Sequence, residues 1–157
     1  MTICSKTRIL LTIFLIAVLS VSCNRKDNDV IPDVYVDFRI SILDPQFVSL
    51  TAIGGAVAVD GKTNNIGYPA DGFNKNGIII YSGADEFYAY DRTCPHDYAV
   101  NGKSIKVNID FIRAVCPECG TEYGLSVYGT PSSGPGRYPL KNYRTSFDGT
   151  WIRVWNK

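Results

Sequence analysis

The chain has 157 residues, 45% of them hydrophobic and 20% charged, with a formal net charge of +1. That length suits one domain with a core of its own, and that charge gives no electrostatic case for nucleic acid or an acidic membrane face. The single histidine, His96, excludes a metal centre that takes two imidazoles from one chain. From the N-terminus, Lys6 and Arg8 precede an apolar run over positions 9–19, which Ser20, Val21, Ser22 and Cys23 close. A basic start, about eleven apolar residues and then small ones form the pattern of a secretory signal, too short to cross a bilayer comfortably. Without the two leader cations, the 16 Lys and Arg fall to 14 against 15 Asp and Glu.

The end of the leader, Leu19-Ser20-Val21-Ser22-Cys23, resembles the box of bacterial lipoproteins, in which a small residue precedes a cysteine that is lipidated and becomes the new N-terminus. Ser22 and Cys23 match; Ser20 stands where Leu is usual, with Leu19 one place further back. The resemblance implies a lipoprotein signal peptide over 1–22 and a lipid anchor on Cys23, which holds a protein to a membrane without a spanning helix. It places the chain in the bacterial cell envelope, facing the periplasm or the outside. The inner and the outer membrane both stay open, Asn24 being weak evidence for the outer one by resemblance to sorting rules. Residues 23–33 are polar, rich in Asp and Asn, and read as a tether.

The domain over 34–157 reads as strands. Val34, Val36, Phe38 and Ile40 alternate with Tyr35, Asp37, Arg39 and Ser41, the period of a half-buried strand. A short apolar run over 56–59 ends at the turn dipeptide Asp60-Gly61. Positions 62–77, rich in Asn, Gly, Asp and Pro, read as loop. A buried-type strand over 78–81 turns at Ser82-Gly83 into a partner over 86–91. Ile105, Val107, Ile109 and Phe111 share one face of the next strand, and positions 123–128 suggest another. Positions 129–139 hold three Gly and three Pro, the composition of a loop with fixed bends. The chain closes on a hairpin over 143–155 around Asp148-Gly149. No long segment has a helical period. The predicted class is all-β, with short strands and frequent turns.

Of five cysteines, Cys4 lies in the leader and Cys23 at the processing site, leaving Cys94, Cys116 and Cys119 beside the lone His96. Cys94-Pro95-His96 follows one predicted strand, and Cys116-Pro117-Glu118-Cys119-Gly120 follows the segment ending in Val115. Two loops at strand ends can present four donors to one centre. Thiolates suit iron–sulfur clusters and zinc, and imidazole suits both metals. Taken singly, His96 reads as a core histidine, and Cys116 with Cys119 as a disulfide or a redox dithiol. Neither explains why the only histidine falls two residues from Cys94.

At these residues the chain resembles the Rieske iron–sulfur proteins, whose C-x-H and C-x-x-H loops hold a [2Fe–2S] cluster. Cys94-Pro95-His96 matches the first loop. In Cys116-Pro117-Glu118-Cys119-Gly120-Thr121-Glu122-Tyr123, Pro117, Gly120, Thr121 and Tyr123 fall in register with the second. The stretch from Glu86 to Arg92 is similar to the strand entering the first loop. Gly134-Pro135 with Tyr138-Pro139-Leu140 is similar to the loop that shields the cluster. The resemblance implies an antiparallel β-sandwich with a small cluster-binding subdomain. By position it implies Cys94 and Cys116 on one iron, with His96 and Cys119 on the other. It departs from the family at Cys119, which stands where a second histidine is expected.

A third thiolate adds negative charge, which should lower the potential from the Rieske range of about −150 to +300 mV toward the roughly −400 mV of four-cysteine ferredoxins. Cys-Pro-Glu-Cys-Gly also looks like a zinc knuckle, and Cys3His is a common structural zinc set. Two functions stay open on these residues. One is a one-electron carrier serving a redox partner protein, an electron-transfer component rather than a stand-alone enzyme. The other is an interaction module whose zinc staples two loops, or which holds no metal.

Overall fold

The computed structural model describes residues 30–156, so the expected signal peptide, Cys23 and most of the tether lie outside the described residues. Eleven strands follow in order: β1 (Asp37–Ser41), β2 (Ala56–Val59), β3 (Ile66–Gly67), β4 (Ile78–Ser82), β5 (Phe87–Asp91), β6 (Asn108–Asp110), β7 (Arg113–Val115), β8 (Glu122–Gly124), β9 (Thr130–Ser133), β10 (Asn142–Phe147) and β11 (Trp151–Trp155). Among the described residues one α-helix, α1 (Pro95–Asn101), stands between β5 and β6. Every pairing is antiparallel. No helix among the described residues is long and apolar enough to cross a membrane.

Seven strands form one sheet in the order β2-β4-β5-β10-β11-β1-β3. Its two halves share β10 and close over a common core. Phe38 and Ile40 of β1, Ile152 and Val154 of β11, and Tyr143 of β10 meet Val59, Ile78, Ile80 and Ala89 from the other half. Phe47 and Leu50, from the 3-10 helix Pro45–Thr51, plug one end. β4 shows no alternation because both its faces are covered. Ile78 and Ile80 point into this core, while Ile79 and Tyr81 enter a second one.

The second core joins the large sheet to a small one, ordered β6-β7-β8-β9. Tyr90 of β5 is fully buried there, and its hydroxyl donates to the Leu125 carbonyl at 2.7 Å. Around it lie Val107, Ala114, Tyr123, Leu125 and Leu140, together with Cys94 and Cys116. The fold is thus all-β: a curled, sandwich-like sheet, whose β5 leads into Cys94, carrying a smaller sheet whose β7–β8 turn holds Cys116 and Cys119.

Several local expectations are corrected, among them the strand over 123–128, where β8 ends at Gly124 and 125–127 is a 3-10 helix. Phe111 is not on a buried face but at the tip of the β6–β7 hairpin, 87% exposed with φ of +51°. Asp110 pairs with Arg113, so a two-residue turn must form there, and such turns take positive φ. Within 62–77, β3 pairs with β1. Within 129–139, β9 pairs with β8. Cys94-Pro95-His96 heads a helix rather than a loop. The domain also reaches back beyond Val34: Ile31 is 1% exposed, and Lys141 Nζ donates to its carbonyl at 2.8 Å while pairing with Asp33 at 2.8 Å.

Candidate metal centre

The segment carrying Cys94 leaves β5 and returns beside it. Thr93 bridges Lys106, the Cys94 amide donates to the Ile105 carbonyl at 2.8 Å, and the Val107 amide donates to the Arg92 carbonyl at 2.8 Å. Between these closures the chain makes α1. Cys94 is its N-cap, Pro95 opens it with a φ already suited to helix, and Gly102 ends it in the left-handed region with φ of +65°. The buried side chain of Asn76 ties both ends of this excursion, donating at 2.8 Å to Thr93 Oγ1 and at 2.8 Å to Ser104 Oγ.

The second segment is a tight turn after β7. The Cys116 amide donates to the Thr121 carbonyl at 2.9 Å, and Gly120 donates back to the Cys116 carbonyl at 3.0 Å. Backbone N–H groups of Cys119 and Glu118 face the Cys116 sulfur and favour its thiolate. Gly134 and Gly136 lie directly against this turn. A Cβ on Gly134 would stand 2.7 Å from Thr121 Cα, and one on Gly136 would stand 2.4 Å from Thr121 Cγ2. The Gly136 amide donates to Thr121 Oγ1 at 3.0 Å. The Gly134-Pro135-Gly136 stretch therefore covers the turn only because it carries no side chains at its two glycines.

The two segments bring three thiols together. Cys94 Sγ lies 3.7 Å from Cys119 Sγ and 3.2 Å from the hydroxyl of Tyr123, which is fully buried. The Cys116 thiol donates to Asp97 Oδ2 at 2.9 Å, and the Cys119 thiol donates to Thr121 Oγ1 at 3.1 Å. One donor atom each from Cys94, Asp97, Cys116 and Cys119 falls within 4.8 Å of all the others. All three cysteines are free. Three of the four expected ligands are thus gathered. His96, half-buried on the first turn of α1, is not among the four, and Asp97 is.

Burial holds the Cys94 and Cys116 thiols in their neutral form. Burial pushes the Cys94 thiol up to about 11 and raises Cys116 as well, the latter also through Asp97. Burial would raise Asp97, but hydrogen bonds from Cys116, Cys94 and Cys119, with His96 nearby, hold its carboxyl below the usual range. No Lys or Arg bonds to any of the four among the described residues. A buried set of soft, ionisable donors gathered on one point is the chemistry of a metal ligand set. The donors fit iron or zinc.

Sequence reading missed Asp97, Asn76 and the role of Thr121. Asp97 was accessible: Pro95, an acid two residues on and Gly102 together spell a short helix.

The fold and site define an all-β domain with a buried three-cysteine, one-carboxylate centre. Neither a family model nor a curated protein matches the chain. Solved structures similar to it include three ferredoxin-containing ones. The ferredoxin of carbazole 1,9a-dioxygenase from Nocardioides aromaticivorans is 18% identical, covering 68% of this chain and 88% of its own at a TM-score of 0.43. A complex of reduced oxygenase and oxidized ferredoxin in carbazole 1,9a-dioxygenase is 22% identical, covering 67% and 83% at 0.41. A Sphingomonas yanoikuyae ferredoxin is 16% identical, covering 69% and 94% at 0.42. At these scores the weight rests on the site itself.

Proposed function

We propose that the chain is a one-electron carrier of the bacterial cell envelope. It holds a [2Fe–2S] cluster on the thiolates of Cys94, Cys116 and Cys119 with a fourth ligand from the His96–Asp97 step, and it exchanges electrons with a redox partner protein. Lipid on Cys23, after removal of residues 1–22, ties it to a membrane. The observation that carries this reading is the meeting of three free thiols from two segments in one buried pocket. The residues that meet are those whose spacing and register resemble the two Rieske loops. Bound there, the cluster would supply one-electron chemistry. The protein's part is to bind it, keep water from it through Tyr123 and the Gly134–Gly136 cover, and orient Cys116 through backbone N–H groups.

A second reading has an observation of its own. Two thiolates on one tetrahedral ion, each about 2.3 Å from the metal, stand roughly 3.8 Å apart. The 3.7 Å between Cys94 and Cys119, and the spread of the whole set, match a single zinc or iron ion. That ion would staple the two segments and leave the chain an interaction module.

One preparation tests both readings. The full chain is purified anaerobically, its iron, acid-labile sulfide and zinc are measured, and its visible spectrum is recorded before and after dithionite. Red-brown absorption that bleaches and returns in air, with equal iron and sulfide, supports the carrier. A colourless protein with zinc supports the staple, and no metal at all removes both.

A further inference from the structure

We infer that Asp97, not His96, supplies the fourth ligand of the centre. The inference rests on the metal-binding reading above and settles which atom completes the set. In extended chain, residues two apart share a face, and a C-x-H pair points both donors one way. Here the pair opens a helix. In a helix, residues two apart diverge, while those three apart lie on one face. Cys94 is the N-cap of α1 and Asp97 is three residues on, the two positions whose side chains approach each other at a helix start. Pro95 and Gly102 fix the helix, so the sequence itself turns the imidazole out of register with Cys94.

Burial agrees. Asp97 is 2% exposed and His96 is half-buried. Asp97 Oδ2 already accepts the Cys116 thiol at 2.9 Å, and a donor atom of Asp97 lies within 4.8 Å of all three sulfurs. The proton between Cys116 and Asp97 stands where a cation bound by both would be. On binding it leaves to solvent, and sulfur and oxygen turn to the metal in its place. The set becomes three thiolates and a carboxylate, one negative charge more than with a neutral imidazole.

The test uses the full chain as wild type, H96A, D97A and D97C, each purified anaerobically and checked for folding by far-UV circular dichroism. Bound iron, sulfide and zinc are measured in each, and 14N couplings are sought by pulsed electron paramagnetic resonance of any reduced cluster. H96A should keep wild-type metal content, D97A should lose at least about tenfold, and D97C, which restores a ligand, should recover it. No imidazole coupling should appear. Loss of metal in H96A, retention in D97A, or a strong nitrogen coupling overturns the assignment. Should D97A fail to fold, H96A and D97C decide: metal retained in both supports the assignment, and loss in H96A overturns it. A wild-type chain without metal overturns the metal reading itself, a result distinct from a metalled chain that depends on His96.

Discussion

Asn76 Nδ2 lies 2.8 Å from Oγ1 of Thr93, the residue directly before Cys94, although 17 positions separate them in the chain. The same nitrogen reaches Ser104 beyond α1. One amide in the loop before β4 therefore fixes both ends of the segment that carries Cys94 and Asp97. Replacing Asn76 with Ala takes a hydrogen-bond donor from buried Thr93 and half-buried Ser104 and should cost about 1–3 kcal/mol. Urea unfolding reads that loss. Chelator competition should show faster metal release from N76A than from wild type.

The cover over the second segment depends on two missing side chains. Gly134 has φ of +85° and no room for a Cβ against Thr121. G134A should lose at least about 1 kcal/mol of stability and release metal faster, because the cover must lift. Gly149 has φ of +100° and open space, with nothing within 4 Å of where a Cβ would stand, so G149A carries backbone strain alone. It should leave the rate of metal release unchanged. Equal rates for the two variants would show that the cover does not guard the site.

Tyr143 donates to buried Asp91 at 2.8 Å, and Asp91 also accepts the amides of Phe73 and Thr93. Burial, with Asp91 beside it, raises the Tyr143 phenol above its ordinary value. The unfolded phenol titrates near about pH 10, so the stability gained from the neutral form is complete below that and drains away as pH rises further. Denaturant midpoints of the wild type should begin to fall as pH rises past about 8.5, where the buried Cys94 and Cys116 thiols contribute, and fall further above about pH 10, where the phenols do. Y143F should cost about 1–2 kcal/mol at neutral pH and fall less steeply in alkali. Tyr90 and Tyr123 are raised by burial in the same sense, so the slope is reduced rather than removed.

Lys141 is 9% exposed and holds residues ahead of β1 through Ile31 and Asp33. K141M keeps the packing stem and removes both bonds. Backbone amides over 31–36 should then exchange faster by hydrogen–deuterium mass spectrometry, while β10 and β11 keep their protection. Unchanged exchange at 31–36 would show that Ile31 burial alone docks this segment.

The strands were legible where one face is buried and the other is not. Phe38 and Ile40 alternate with more exposed neighbours, and the chain-closing hairpin shows its turn residues openly. The apolar stretch from Ile78 to Tyr81 was legible as buried, but not that it serves two cores. Periodicity alone failed at Phe111, where a two-residue hairpin turn outweighed the pull to bury a ring. It failed again at β3 and β9, whose pairing is set by partner strands rather than by their own composition. The three cysteines were legible as a set from ligand counting. Asp97 was hidden from periodicity, because seven helical residues are too short a run to show one, and only the capping residues Pro95 and Gly102 marked the helix.

The docking of Ile31 has a consequence for reach. Under the proposed lipid anchor on Cys23, eight steps of chain would separate the bilayer surface from Ile31, a residue fixed to the domain. Even drawn straight, that leash measures no more than about 29 Å. The carrier would thus patrol a thin shell above its membrane. A protein that trades electrons with it must itself stand in that shell, so geometry sorts partners by their height above the lipid before any surface complementarity is felt.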